Sequence, residues 1–234
     1  NTLNDKYLQV KKILELLKDL STNCSQIDSE LQKIEQQLAE FDPFLKDTDQ
    51  NQHTLNQINN KLSNYRAEIK KLQNSLETFK EFISPEVSQI LKDLELKAER
   101  LFDTMEEYNR AFKLAKTIRS EYLQNTEKVS YWINDTEEKL KSHYTEPLEY
   151  KVSIHNCCQE RPTVSEWFDI ARKNGIDILQ STHDDQEAQA IRQNLDHIQE
   201  RLGHVYGLLD EQKIIIDNVV DAWCKFMELY QIII

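Results

Sequence analysis

Three glycines and four prolines in 234 residues are far fewer than a chain of ordinary composition carries. Both residues punctuate turns and sheets. Their scarcity excludes a fold of many short strands and leaves a few long helices. No stretch approaches the roughly 18 uninterrupted apolar residues of a membrane span. The N-terminus lacks the basic region and apolar run of a signal peptide. Positive charge is also short, with 29 Lys and Arg against 41 Asp and Glu and a formal net charge of −12. That balance argues against nucleic acid or anionic lipid as partners, because both demand clustered Lys and Arg. Cys24, Cys157, Cys158 and Cys224 show no metal-ligand spacing and fit a reduced intracellular protein better than a disulfide framework. Asn23-Cys-Ser25 and Asn134-Asp-Thr136 match the glycosylation tripeptide, but both fall in helical patterns and read as chance matches.

What is present is periodicity. Apolar residues alternating three and four apart mark helices with a continuous seam. The first seam runs from Leu3 through Val10, Ile13, Leu17, Leu20, Cys24, Ile27, Leu31 and Leu38 to Phe41, with Lys6 as its one interruption, and Asp42-Pro43-Phe44 stops it. A second runs from Leu55 through Leu62, Ile69, Leu76 and Phe79 to Ile83, with Asp49 and Gln52 placed to cap its start reciprocally. Ser84 is a suitable N-cap and Pro85 a suitable first helical residue for the third segment, which extends to about His143 without Gly or Pro. Its seam includes Leu91, Leu94, Ala98, Leu101, Met105, Tyr108, Phe112 and Ala115, then Ile118, Tyr122, Val129, Trp132 and Leu140. The steps 112, 115, 118 are two threes in succession, which rotates the apolar face. Such a helix, about 90 Å long, is too long for one compact domain. It is expected to serve two consecutive bundles, with the junction near Ala115–Arg119.

Residues 144–182 are irregular, interrupted by Pro147, Pro162 and Gly175. A helix is expected from Thr163, where Thr163-Val-Ser-Glu166 forms a capping box; the stretch 147–160 fits either helix or loop. A last seam follows an Asp184/Glu187 capping box and runs from Ala188 through Leu195, Leu202, Leu209, Ile216, Val219, Trp223, Phe226 and Tyr230 to Ile233, with Gln212 polar. The chain starts inside an apolar repeat and stops at Gln231-Ile-Ile-Ile234, as a piece of a longer protein would.

Val129-x-x-Trp132 and Val220-x-x-Trp223 each lie on a helix that continues past a bundle. In this the chain resembles tandem spectrin repeats, an all-α fold of three-helix bundles joined by continuous helices into an elongated rod. The resemblance implies that residues 1–20 end a preceding repeat's third helix, that 21–116 and 117–212 are two repeats, and that 213–234 opens a following first helix. Trp132 and Trp223 match the family's first-helix Trp and become core anchors with Val129, Tyr108 and Phe112. Lys173-Asn-Gly-Ile-Asp-Ile-Leu-Gln180 looks like the glycine-containing end of a second helix. The first repeat has Ile27 near the Trp position, and the interval between the tryptophans is short for the family. Such degenerate repeats resemble those of giant cytoskeletal linkers, nesprin-like before plakin-like.

Catalytic chemistry is not indicated. His143, His155, Cys157 and Cys158 are neighbours in sequence but lack the paired spacing that zinc favours, so neither metal nor cofactor is expected. Carboxylate pairs at this density are solvated partners of Lys on helix surfaces, and no phosphate loop or nucleophile motif occurs. Three residues are candidate partner contacts. Gly203 and Gly207 share one helix face, where either another chain approaches closely or the helix flexes, or else the glycines are a tolerated destabilisation or pack tightly within their own bundle. Trp167 precedes the seam residue Phe168, so it either faces solvent as a contact or fills space around a short helix.

The expectation is therefore a non-enzymatic rod segment that sets spacing, transmits force and docks cytoskeletal or regulatory proteins, such as actin-associated factors, alongside neighbouring repeats. The resemblance places it in the cytoplasm on the cytoskeleton, with a parent protein linking actin to the nuclear envelope from the outer nuclear membrane. Two alternatives are a membrane-curving helical dimer of the BAR type, disfavoured by the acidic charge, and a plain parallel coiled coil, opposed by the breaks at Pro43 and Pro85.

Overall fold

The computed structural model describes residues 2–44, 48–77, 84–142 and 146–233, with the side chains of Thr2, Asp5, Thr48 and Ile233 excepted. The helices are α1 (Thr2–Ala39), α2 (Thr48–Glu77), α3 (Pro85–Lys141), α4 (Pro147–Ser181) and α5 (Asp185–Ile233). There is no strand among the described residues, and none of their helices is long and apolar enough to cross a membrane. The fold is an all-helical one that divides into two compact units, Asn1–Leu114 and Ala115–Ile234.

The first unit draws one core from three helices. Leu20, Cys24, Ile27, Leu31, Ile34 and Leu38 of α1 meet Leu55, Ile58, Leu62 and Ile69 of α2 and the α3 residues from Leu91 to Phe112. The three-and-four spacing places each set on one stripe of its helix. Tyr108 is half-buried and stacks on Phe41, with ring centroids 5.8 Å apart. Where α1 ends, the Asp42 carboxylate accepts the Phe44 N–H at 2.8 Å, and the buried Asn51 amide of α2 donates to the Asp42 carbonyl at 2.9 Å. Polar side chains thus satisfy the backbone that Pro43 forces out of the helix. α2 begins at Thr48, so Asp49 lies inside the first turn rather than at the cap, and the Gln52 amide donates to Asn56 instead. Phe79 and Ile83 of the expected seam lie outside the described residues.

In the second unit the region expected to be irregular is one helix. α4 begins with Pro147 as its first helical residue and continues through Pro162, so Thr163 is interior and caps nothing. An interior Pro costs about 3 kcal/mol or more, but burying one Ile or Val side chain returns about 1.5–3 kcal/mol. α4 buries Ile154, Val164 and Ile178 along with Cys157 and Ala171. The seam becomes regular once Cys157, Arg161 and Gly175 are counted as members: 154, 157, 161, 164, 168, 171, 175, 178. Gly175 does not end the helix. It leaves no room for a side chain: a Cβ there would stand 2.8 Å from Leu195 Cδ1 and 3.3 Å from the Tyr122 ring. Thr182 follows as the C-cap, its N–H donating to the Ile178 carbonyl at 2.8 Å.

Asp184 caps α5, accepting the N–H groups of Gln186 at 2.9 Å and Glu187 at 3.3 Å. The Glu187 side chain binds Thr182 and Arg119. Farther along, Val220 and not Val219 joins Ile216 in the core.

The expected anchors diverge. Phe112, Val129 and Trp132 are buried, Trp132 at 6% exposure. Trp223 is 46% exposed and is not a core residue. Beyond Val220 no element among the described residues covers α5, and Trp223 meets Phe226 of its own helix, centroids 6.0 Å apart. Trp132→Ala is therefore expected to cost about 3–5 kcal/mol in urea denaturation. Trp223→Ala should stay within about 0.5 kcal/mol, as surface substitutions do.

Candidate interaction surface on the second unit

Between α3 and α4 lies an open cleft of about 560 Å³, with Trp132 and Val164 at its base and Tyr131, Lys128 and Trp167 on its walls. Trp132 is fixed from two sides. Its indole N–H donates to Glu160 at 2.8 Å, and its ring meets the edge of Tyr206 at 5.8 Å. Trp167 is half-buried against the same core, with Lys128 Nζ 5.7 Å from the ring centroid. It is neither wholly solvent-facing nor wholly core. Tyr131 is 74% exposed, which sequence reasoning missed. Position beside a buried Trp does not by itself settle this, since Ile133 on the other side of Trp132 is buried. Large aromatics beside a concave apolar floor are the residue types that anchor protein contacts.

Charged groups tie α4 to α5. Arg161 occupies a seam position of α4 yet stays polar at its tip: its guanidinium lies 4.4 Å over the Tyr206 ring and grips Asp210 at 2.6 and 3.1 Å. That hydrogen-bonded pair holds the Asp210 carboxyl below the usual range and raises Arg161. About two to three turns earlier on α4, Lys151 and His155 share Asp217 Oδ1 at 2.8 and 3.1 Å. The Lys151 contact, before the His155 one, lowers the Asp217 pKa.

The remaining sequence candidates separate. Gly203 and Gly207 line no part of the cleft. Both are exposed, and a Cβ at either would meet nothing within 4 Å, so tight packing within their own unit does not account for them. The cysteine–histidine neighbours also disperse: Cys157 is buried with its thiol pKa raised by that burial, Cys158 is half-buried, and His155 is spent on Asp217. His143 lies outside the described residues.

No family model matches the chain, and no solved structure matches it. It is similar to Muscle-specific protein 300 kDa of Drosophila melanogaster, with 29% identity over 237 residues. The match covers all of this chain, which spans 2% of that relative's length.

The glycines give opposite expectations for one substitution. Gly203→Ala and Gly207→Ala should each stabilise by up to about 1 kcal/mol, the helix-propensity difference. Gly175→Ala should destabilise by about 1 kcal/mol, because crowding against Leu195 and Tyr122 outweighs that gain; urea denaturation reads both signs. The depressed carboxyls predict acid sensitivity. Stabilisation from Asp210 and Asp217 is complete above the ordinary Asp value of about 3.9 and is lost as pH falls through their lowered folded values. Melting temperature should therefore drop below about pH 4, and less steeply in Asp210→Asn/Asp217→Asn.

Proposed function

We propose that the chain is a non-enzymatic structural segment built from tandem spectrin-like three-helix bundles. Residues 21–116 form one repeat and 117–212 a second, while 1–20 closes a preceding repeat and 213–234 opens a following one. The observation that carries this reading is α3. One helix without Gly or Pro after its first residue places Leu91–Phe112 in one core and Val129–Ile133 in another. Exposed apolar residues near both ends, Tyr7 and Val10 on α1 and Trp223 and Phe226 on α5, support the assignment of those ends to neighbouring repeats. Similarity to a small fraction of a very long muscle protein supports the repeat setting.

In this reading the shared helix sets the spacing of successive bundles and passes force from one to the next. The cleft at Tyr131 and Trp167 and the open Gly203/Gly207 face are docking surfaces for a cytoskeletal or regulatory protein, such as an actin-associated factor. The segment works in the cytoplasm on the cytoskeleton and contacts neither nucleic acid nor membrane. Its parent links actin to the nuclear envelope at the outer nuclear membrane.

Stretching single molecules between optical traps tests the shared helix. The wild-type chain should be monomeric in sedimentation velocity and unfold both units in one step. Lys116→Pro, which removes a helical hydrogen bond and costs about 3 kcal/mol at an exposed site between the two cores, should split the event in two. A stable dimer, or two wild-type steps that the substitution leaves unchanged, would sink the reading.

A further inference from the structure

Helices α3 and α5 and the turn that follows α4 meet in one hydrogen-bonded chain. Arg119 of α3 donates to Glu187 of α5 through Nε and Nη2, both at 3.2 Å, and Glu187 Oε2 accepts the hydroxyl of Thr182 at 2.6 Å. The Arg119 and Glu187 side chains are only 13% and 10% exposed, so the pair is shielded from solvent and sensitive to added charge. Thr182 itself is half-buried, in extended backbone at φ −80° and ψ 140°.

Among the described residues, the hydroxyls outside helices belong to Ser84, Ser142 and Thr182. Only Thr182 is followed by a dense acidic run, Asp184, Asp185 and Glu187, at the second, third and fifth positions. An extended hydroxyl residue trailed by carboxylates fits a kinase with a basic substrate cleft, since charge pattern is how such enzymes select substrates. We infer that Thr182 is a phosphorylation site for an acidic-directed protein kinase, and that its modification unlocks the Arg119–Glu187–Thr182 junction. In the step, Thr182 Oγ1 attacks the γ-phosphorus of Mg-ATP. The Oγ1–P bond forms as the bond to ADP breaks, ADP leaves, and the hydroxyl proton passes to the kinase's base.

The consequence follows from charge. The phosphate brings about −1.5 to −2 to a hydroxyl now 2.6 Å from the Glu187 carboxylate. The two anions compete for one guanidinium, and Glu187 leaves it. The Asp184 N–H, which donates to Thr182 Oγ1 at 3.2 Å, is the donor this terminus offers the phosphate, because the Gln186 and Glu187 N–H groups are already held by the Asp184 carboxylate. The end of the unit where α4 turns into α5 opens.

The test treats the folded 234-residue chain with a purified acidic-directed serine/threonine kinase and Mg-ATP, maps the phosphate by mass spectrometry, and follows amide exchange. Phosphate is expected on Thr182, retained in Ser181→Ala, absent in Thr182→Val, and incorporated roughly tenfold more slowly in Asp184→Asn/Asp185→Asn. Exchange at Gln186, Glu187 and Ala188 should quicken roughly tenfold on phosphorylation, while circular dichroism shows Thr182→Val folded. Phosphate found only at other residues, or on Thr182 only after urea unfolding, overturns the site. Unchanged exchange in the phosphorylated chain overturns the unlocking.

Discussion

Helix α3 must satisfy two hydrophobic cores with one continuous backbone, and much of the structure follows from that demand. It does so without a break, as a single helix from Pro85 to Lys141 that carries Phe112 and Ala115 as well as Val129 and Trp132. Within the second unit the buried stripe is wide enough to include adjacent residues, Asn125 with Thr126 and Trp132 with Ile133. A helix covered by two neighbours needs that width. Asn125 and Thr126 are satisfied by carbonyls of their own helix, at 2.8 and 2.9 Å, so burial costs them no hydrogen bond.

α4 meets the same demand with poorer material. Its seam includes two residues with little to bury, Cys157 and Gly175, and one that is charged, Arg161. Small residues let α4 approach α5 closely. The long stem and planar head of Arg161 cover Tyr206 while the charge stays on Asp210 at the surface. Exposed ion pairs contribute little individually, typically 0–1 kcal/mol. The contribution of Arg161 and of the Lys151–Asp217–His155 group is better seen as fixing the register between α4 and α5 than as bulk stability.

The exposed aromatics fall into two kinds. Tyr131 of α3 and Trp167 of α4 flank the cleft of the second unit, Tyr131 exposed and Trp167 half-buried against the core. Trp223, Phe226 and Tyr230 lie along one exposed stretch of α5, successive ring centroids 6.0 and 6.1 Å apart. Gly203 and Gly207 add an open backbone face to α5 with no packing reason of their own.

Periodicity alone determined that the chain is helical, where α1 and α2 lie, that one long helix follows Pro85, and which side chains form the first core. These are local consequences of spacing and of missing Gly and Pro. The continuity of α4 was not legible, because Pro162, Cys157 and Gly175 each read locally as weak or breaking, and only burial against α3 and α5 outweighs that. Sequence also placed Trp132 and Trp223 in equivalent frames, yet one is buried and the other exposed. Burial belongs to whatever packs above a residue, and α4 and α5 lie over Trp132 while no described element lies over Trp223. Arg161 and the Glu187 link to Arg119 were decided by tertiary structure for the same reason: the partners of each come from another helix, brought near only when the unit folds.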